Sequence, residues 1–172
     1  MKTSEEISAE LKGLYEADQQ DRAGKYGEIN LESMRVNDEE RIHRAHEICA
    51  LFKAGNLEFI SDDFFHLAML FQHSSNIEDY AIALELSNLG VEKGSEKCKW
   101  LSAASEDRYL LTRGEKQKWG TQFRKNEFGG WEQSPMSLDE ESGATDDLRK
   151  QKGVPERVKQ LEMFLDRKDI KK

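Results

Sequence analysis

Three short stretches of this chain carry side chains with chemistry to offer. The first is DFFHLAMLFQH, which ends in Gln72 and His73. An imidazole at the end of an apolar helix can act as an acid or base near neutral pH, or it can be a hydrogen-bonded core group. The second is SEDRYLL, with Asp107 and Arg108 adjacent. An arginine fork holds a carboxylate or phosphate, and an aspartate near an apolar face needs partners of its own. The third is GEKQKWGTQF, in which Gln117, Thr121 and Gln122 surround Trp119 and Gly120. A helix surface would carry Glu and Lys here, and a strand would alternate. Neutral polar groups on a fixed turn suit two tasks. They can satisfy buried backbone between a helix and a loop, or they can meet a ligand.

Other histidines fit metal chemistry poorly. His66 shares a helix face with His73 but lies about 10 Å away along the axis. His43 and His46 are spaced i, i+3 beside Glu39 and Glu47, without a further ligand pattern, so a solvated face is the expectation. There is no phosphate-cradling loop and no nucleophilic serine or cysteine in a recognisable setting. No metal and no cofactor are expected.

The elements that position these groups read as helices. Thr3 or Ser4 caps a first helix whose stripe is Ile7, Leu11, Leu14 and Tyr15, running to about Arg22. AGKYGEIN reads as a loop. Asn37 reads as the cap of a second helix, which Gly55 stops. Ser61, Asp62 and Asp63 open a third helix, apolar almost all round and therefore central. A fourth starts near Ile77 and ends at Gly90 or Gly94, and a fifth runs from about Ser95 to Gly114. Short glycine-marked connections make these three antiparallel neighbours. Small alanines where helices cross are similar to the helix pairs of tetratricopeptide and Sel1-like repeats. Residues 120–153 lose the periodicity, with extended pieces expected around Gly129-Gly130. A last helix, about 155–167, has Pro155 in its first turn and carries Val158, Leu161, Met163 and Leu165. The expected fold is all-α: one domain of five to six helices in antiparallel, tetratricopeptide-like pairs, with a core over about 5–123.

Composition narrows the partners. The chain has 172 residues, enough for one domain with a sizeable core, and only two prolines, which permits long helices. A net charge of −8 repels phosphate backbones, so nucleic acid is not an expected partner. The basic tail, Arg167, Lys168, Lys171 and Lys172, is short and solvated. Cys49 and Cys98 lie far apart on apolar faces and read as buried thiols of a reducing compartment. No stretch approaches 18 apolar residues, and the N-terminus lacks an apolar signal core. A cytoplasmic protein without membrane partners is the expectation.

Taken together, Gln72-His73, Asp107-Arg108 and the run Gly114-x-x-Gln117-x-Trp119-Gly120-Thr121-Gln122 resemble a widespread bacterial family, a domain of unknown function. Its mark is Gln-His, then Asp-Arg, then Gly-x-x-Gln-x-aromatic-Gly-Thr-Gln. Asp18, Gln19 and Arg22 are similar to its N-terminal Asp-Gln…Arg, and Asp147, Arg149 and Gly153 to its late Asp…Arg…Gly. The likeness spans about residues 10–160. Trp119 stands where tyrosine is common, which argues against a required phenolic hydroxyl. The resemblance implies that His73, Asp107, Arg108, Gln117 and Gln122 form one constellation. In a ligand site, Arg108 would bind an anionic group, His73 would be the acid or base and Asp107 would orient one of them. Gln72, Gln117, Thr121 and Gln122 would hold neutral polar groups. Alternatively the chain is a helical interaction module that binds a peptide, and the cluster is an internal hydrogen-bond network. An acidic inhibitor fits the charge but no particular residue. An open pocket with Arg108 and His73 favours the first reading, a sealed network the second.

Overall fold

The computed structural model describes residues 2–23, 29–138 and 143–167, with the side chains of Leu161, Asp166 and Arg167 excepted. Among them are seven helices and one small hairpin: α1 (Ser4–Asp21), α2 (Leu31–Lys53), α3 (Ser61–Gln72), α4 (Ile77–Glu92), α5 (Glu96–Thr112), β1 (Phe123–Lys125), β2 (Trp131–Gln133), α6 (Asp146–Gln151) and α7 (Arg157–Arg167). The fold is all-α in antiparallel helix packing, as the periodicity requires. The loop expected at AGKYGEIN falls mostly outside the described residues, as does most of the basic tail.

α1 starts with a capping box. Thr3 Oγ1 accepts from the Glu6 N–H at 3.2 Å, and the Glu6 carboxylate accepts from the Thr3 N–H at 2.8 Å. In the first turn of α3, Asp63 Oδ2 accepts the Ile60 N–H at 2.9 Å and the Ser8 hydroxyl of α1 at 2.8 Å. α3 is central, as expected: it packs on α1, α2, α4 and α5. Its buried Phe64, Leu67, Ala68, Leu70 and Phe71 join Ile7, Leu11, Ile48, Leu86 and Leu101 in one core. Cys49 and Cys98 are buried free thiols within it. α4 and α5 meet where Gly90 faces Cys98. A Cβ at Gly90 would lie 2.4 Å from Cys98 Sγ.

Two expectations change. Asn37 does not cap α2. Asn30 does, accepting from the Ser33 N–H at 3.1 Å, and the helix begins two turns earlier. The acidic run after Asn37 imitates a first turn, but Asn37 and Asp38 bond to the end of α1, and Glu39 pairs with Arg35 within α2. Asn37 donates to Asp21 at 2.9 Å, and Asp38 pairs with Arg22. The second change lies within 120–153. Thr145 caps a six-residue helix there, α6, too short to show periodicity. The last helix begins at Arg157, two residues beyond Pro155.

The rest of that region is held by side chains more than by a core of its own. β1 and β2 are antiparallel with Phe123 opposite Gln133 and Lys125 opposite Trp131, and Asn126 organises the turn at Gly129-Gly130. Phe164 of α7 stacks on Phe123, ring centroids 4.1 Å apart. Beneath them Trp119, Ala103, Ala144 and Val154 form a second apolar cluster. No helix of the described residues is long and apolar enough to cross a membrane.

Candidate functional site

The sequence-predicted residues gather where the ends of α1, α3 and α5 meet the turn at residues 117–122. They divide into two groups with different surroundings.

The first group is sealed. Asp107 is fully buried on α5, and both its oxygens are occupied. Oδ1 accepts the N–H groups of Lys118 and Trp119, each at 2.7 Å. Oδ2 accepts the Thr121 N–H at 2.8 Å and the Thr121 hydroxyl at 2.7 Å. Burial raises the Asp107 pKa despite these four bonds. Gln117, also fully buried, spends its whole amide on backbone. Nε2 donates to Gln122 O at 3.1 Å and Ser134 O at 2.7 Å, and Oε1 accepts the Gln122 N–H at 2.9 Å. Its own main chain bridges to Pro135 and Ser137, each at 2.9 Å. Gly120 closes this turn at φ +74°, a conformation that only glycine adopts without strain. GEKQKWGTQF is therefore a knot of backbone donors and acceptors satisfied by Asp107, Gln117 and Thr121. Asp107, expected to orient His73 or Arg108, directs its hydrogen bonds elsewhere.

The second group is partly exposed. His73 caps the C-terminus of α3, and its Nδ1 lies 2.9 Å from Asp18 Oδ1. Asp18 is 1% exposed. Its Oδ1 also pairs with Arg22 at 2.7 Å, and its Oδ2 accepts the Gln19 amide at 2.8 Å. Burial would raise the Asp18 pKa, but His73, Arg22 and Gln19 outweigh it and hold the pKa below the usual aspartate value. For His73, burial lowers the pKa against the pull of Asp18, and the charges of Arg22 and Arg108 act in the same direction as burial. The His73 side chain remains 17% exposed.

Arg108 sits beside this pair. One terminal nitrogen donates to the backbone carbonyl of Gln72. Nε and the other terminal nitrogen donate to Gln122 Oε1, at 3.3 and 3.1 Å. Its guanidinium lies over the Tyr80 ring, 5.7 Å from the centroid. Three of its five N–H groups are thus engaged, leaving one on each terminal nitrogen. Among the described residues no carboxylate pairs with Arg108, and burial lowers its pKa. The Gln122 amide in turn donates to Thr121 Oγ1 at 3.0 Å, which ties the two groups together. Gln72 is buried and donates to Ala104 O at 3.3 Å, while its Oε1 finds no partner among the described residues.

Asp18 and Arg22 enter the sequence reading only through the N-terminal resemblance, yet they complete the His73 environment. Tyr80 was missed altogether. Its place at the start of an apolar helix, in DYAIAL, reads as core. Of the late residues, Arg149 is fully buried and bonds to the carbonyls of Trp119 and Pro155 and to Gln160 Oε1, whereas Asp147 is exposed. His46 pairs with the buried Asp79 at 2.8 Å. No cluster of three or more His, Cys, Asp or Glu able to hold a metal ion occurs among the described residues. A 410 Å³ cleft lined by Trp100, Phe123, Pro155, Met163 and Phe164 does not include His73 or Arg108.

No family model matches the chain, and neither a curated protein nor a solved structure matches it.

Proposed function

We propose that the chain binds a small anionic molecule at Arg108 and His73, and that it belongs with the bacterial domain family it resembles. The observation that carries the reading is the state of Arg108. A guanidinium withdrawn from water normally lies against a carboxylate, because an unpaired charge there is costly. Arg22, Arg41 and Arg44 each have such a partner. Arg108 has only neutral acceptors and a ring face, and it keeps one N–H on each terminal nitrogen. Two such donors suit the two oxygens of a carboxylate or phosphate. His73 beside it is partly exposed, and its Nε2 has no partner among the described residues.

In this reading Asp107, Gln117 and Thr121 are not in contact with the ligand. They fix the turn that carries Gln122, and Gln122 fixes Arg108. The interaction-module reading draws on that same sealed half of the cluster, and Arg108 is what it leaves unexplained.

The test is a titration with inorganic phosphate, followed by nuclear magnetic resonance of the parent and of Arg108→Gln. The expected result is saturable shifts of the His73 ring and Arg108 side-chain signals, with at least tenfold weaker binding in the variant. Equal binding by both proteins, or none by the parent, would overturn the reading.

A further inference from the structure

On the assumption that this anion site exists, we infer that His73 serves it as a base at Nε2, so that the ligand carries a hydroxyl beside its anionic group. The inference starts from Asp18. That carboxylate is buried, lies 2.7 Å from the Arg22 guanidinium and accepts the Gln19 amide at 2.8 Å. Arg22 is itself fixed by Asp38 at 2.7 Å, Asp38 by Arg41 at 2.8 Å, and Arg41 by Asp21 at 2.7 Å. A chain of alternating charges therefore keeps Asp18 ionised and in place. An ionised carboxylate only accepts hydrogen bonds. The 2.9 Å contact with His73 must then have its proton on Nδ1.

A neutral imidazole with its proton on Nδ1 has a lone pair on Nε2. Three observations favour the neutral ring over the imidazolium. The Asp18 charge is already shared with Arg22, the ring is largely withdrawn from water, and the Arg108 guanidinium bonds to the neighbouring residue, Gln72. Nε2 is consequently an acceptor, and it cannot be the group that holds the anion. Arg108 alone supplies that charge. The two functions lie on adjacent positions: Arg108 against the Gln72 carbonyl, His73 next in the chain. A ligand that satisfies both has an oxyanion, carboxylate or phosphate, and an O–H donor close to it.

The step this permits is a proton transfer. The ligand O–H bond breaks, the proton goes to Nε2, and the electron pair stays on the ligand oxygen. The resulting imidazolium is held against Asp18 on its other face. Asp18 is a positioning residue in this arrangement, and it selects the tautomer.

The first experiment needs no variant and no ligand. Long-range proton–nitrogen correlation spectra of the imidazole rings at pH 7.5 report which His73 nitrogen carries hydrogen. The inference requires a protonated Nδ1 and a bare Nε2. A protonated Nε2, or a cationic ring, overturns it whether or not phosphate binds. The second experiment compares lactate with propionate, which differ by one hydroxyl. The parent should bind lactate about fivefold more tightly, the worth of one hydrogen bond. Asp18→Asn, whose amide can donate to Nδ1, should move the ring proton to Nε2. It should erase the lactate preference, read as the ratio of lactate to propionate affinity within that variant. Should Asp18→Asn not fold, His73→Phe serves in its place, with the same loss of preference expected. Equal affinity for the two anions in the parent overturns the inference and leaves the anion site standing. Failure of both anions and of phosphate to bind overturns the anion site, and the ligand class with it.

Discussion

Asp107 Oδ2 accepts both the backbone N–H and the side-chain hydroxyl of Thr121, at 2.8 and 2.7 Å. With Oδ1 on the N–H groups of Lys118 and Trp119, one carboxylate fastens the turn after α5 to the helix. Asp107→Asn makes a sharp probe, because the new NH2 group would face N–H donors whichever way the amide turned. Leaving such buried donors unsatisfied costs about 3 kcal/mol. For a chain of this size that lowers Tm by about 6–12 °C. Thermal melts of the variant check it, and an unchanged Tm would contradict the clamp.

How far this cluster was legible in the sequence depended on how local its partners were. Gln72, His73, Asp107, Arg108, Gln117, Thr121 and Gln122 do converge on one region, but their division into a sealed knot and a half-open pair was not visible. Asp107 bonds to backbone groups 11–14 residues away and Gln117 to groups 5 and 17 residues away, and side-chain type says nothing of that. Helices α3, α4 and α5 were readable almost to the residue, α3 from its Ser-Asp-Asp start and apolar run, α4 and α5 from their glycine stops. Asn37 misled for a physical reason. An Asn followed by three acids has the chemistry of a helix start, and only the tertiary bonds to the end of α1, Asn37 to Asp21 and Asp38 to Arg22, explain it in mid-helix. α6 has six residues and no room for a period.

Two helical glycines should respond in opposite directions. Gly13 on α1 has nothing within 4 Å of a Cβ placed on it. Gly13→Ala should stabilise by about 0.5–1 kcal/mol through the smaller backbone entropy lost on folding. At Gly90 the same Cβ would meet Cys98 Sγ at 2.4 Å, Phe64 Cβ at 3.0 Å and Cys98 Cβ at 3.1 Å. Phe64 Cβ cannot swing aside as a side-chain tip can. Gly90→Ala should lose about 1–3 kcal/mol by overpacking. Adding Cys98→Ala should restore only part, since two of the three close contacts remain. Urea unfolding of the four proteins decides the order.

Acid should weaken the fold in two stages. Burial holds the His73 pKa below its ordinary 6.5, with Asp18 and Arg22 facing it from α1 and Arg108 from α5. The unfolded chain then binds a proton that the folded chain refuses, so stability falls as pH drops from about 6.5 to the folded value. Buried His66, whose Nδ1 has no partner, acts in the same direction. His73→Gln should therefore reduce the first stage without removing it. The second stage belongs to the carboxylates with depressed pKa values. Asp18 contributes above the usual aspartate range and loses that contribution as pH falls through its lower folded value. Glu10, which Arg44 holds in two bonds, drops from 4.5 to about 2. Its partly exposed pair contributes about 1 kcal/mol, lost across that interval. Urea midpoints at pH 7.5, 5.5, 3.5 and 2 follow both stages.

Arg108 and Arg149 lack a buried carboxylate partner, and their removal separates a held ligand site from a structural clamp. Arg149 is fully buried and ties the carbonyls of Trp119 and Pro155 to Gln160, with Asp146 at 3.5 Å on the exposed side. Arg149→Met strands those acceptors and should cost about 3 kcal/mol or more. Arg108→Met also strands two acceptors, Gln72 O and Gln122 Oε1, but it removes a cation that folding buries without an opposite charge. The two effects oppose, so stability should stay within about 1 kcal/mol of the parent or rise. Ligand linkage completes the comparison. An anion that binds only the folded parent at a hundred times its Kd adds about 2.7 kcal/mol. Saturating phosphate should raise the parent Tm and leave that of Arg108→Met where it was. A large loss from Arg108→Met without phosphate would place Arg108 with Arg149, as a clamp.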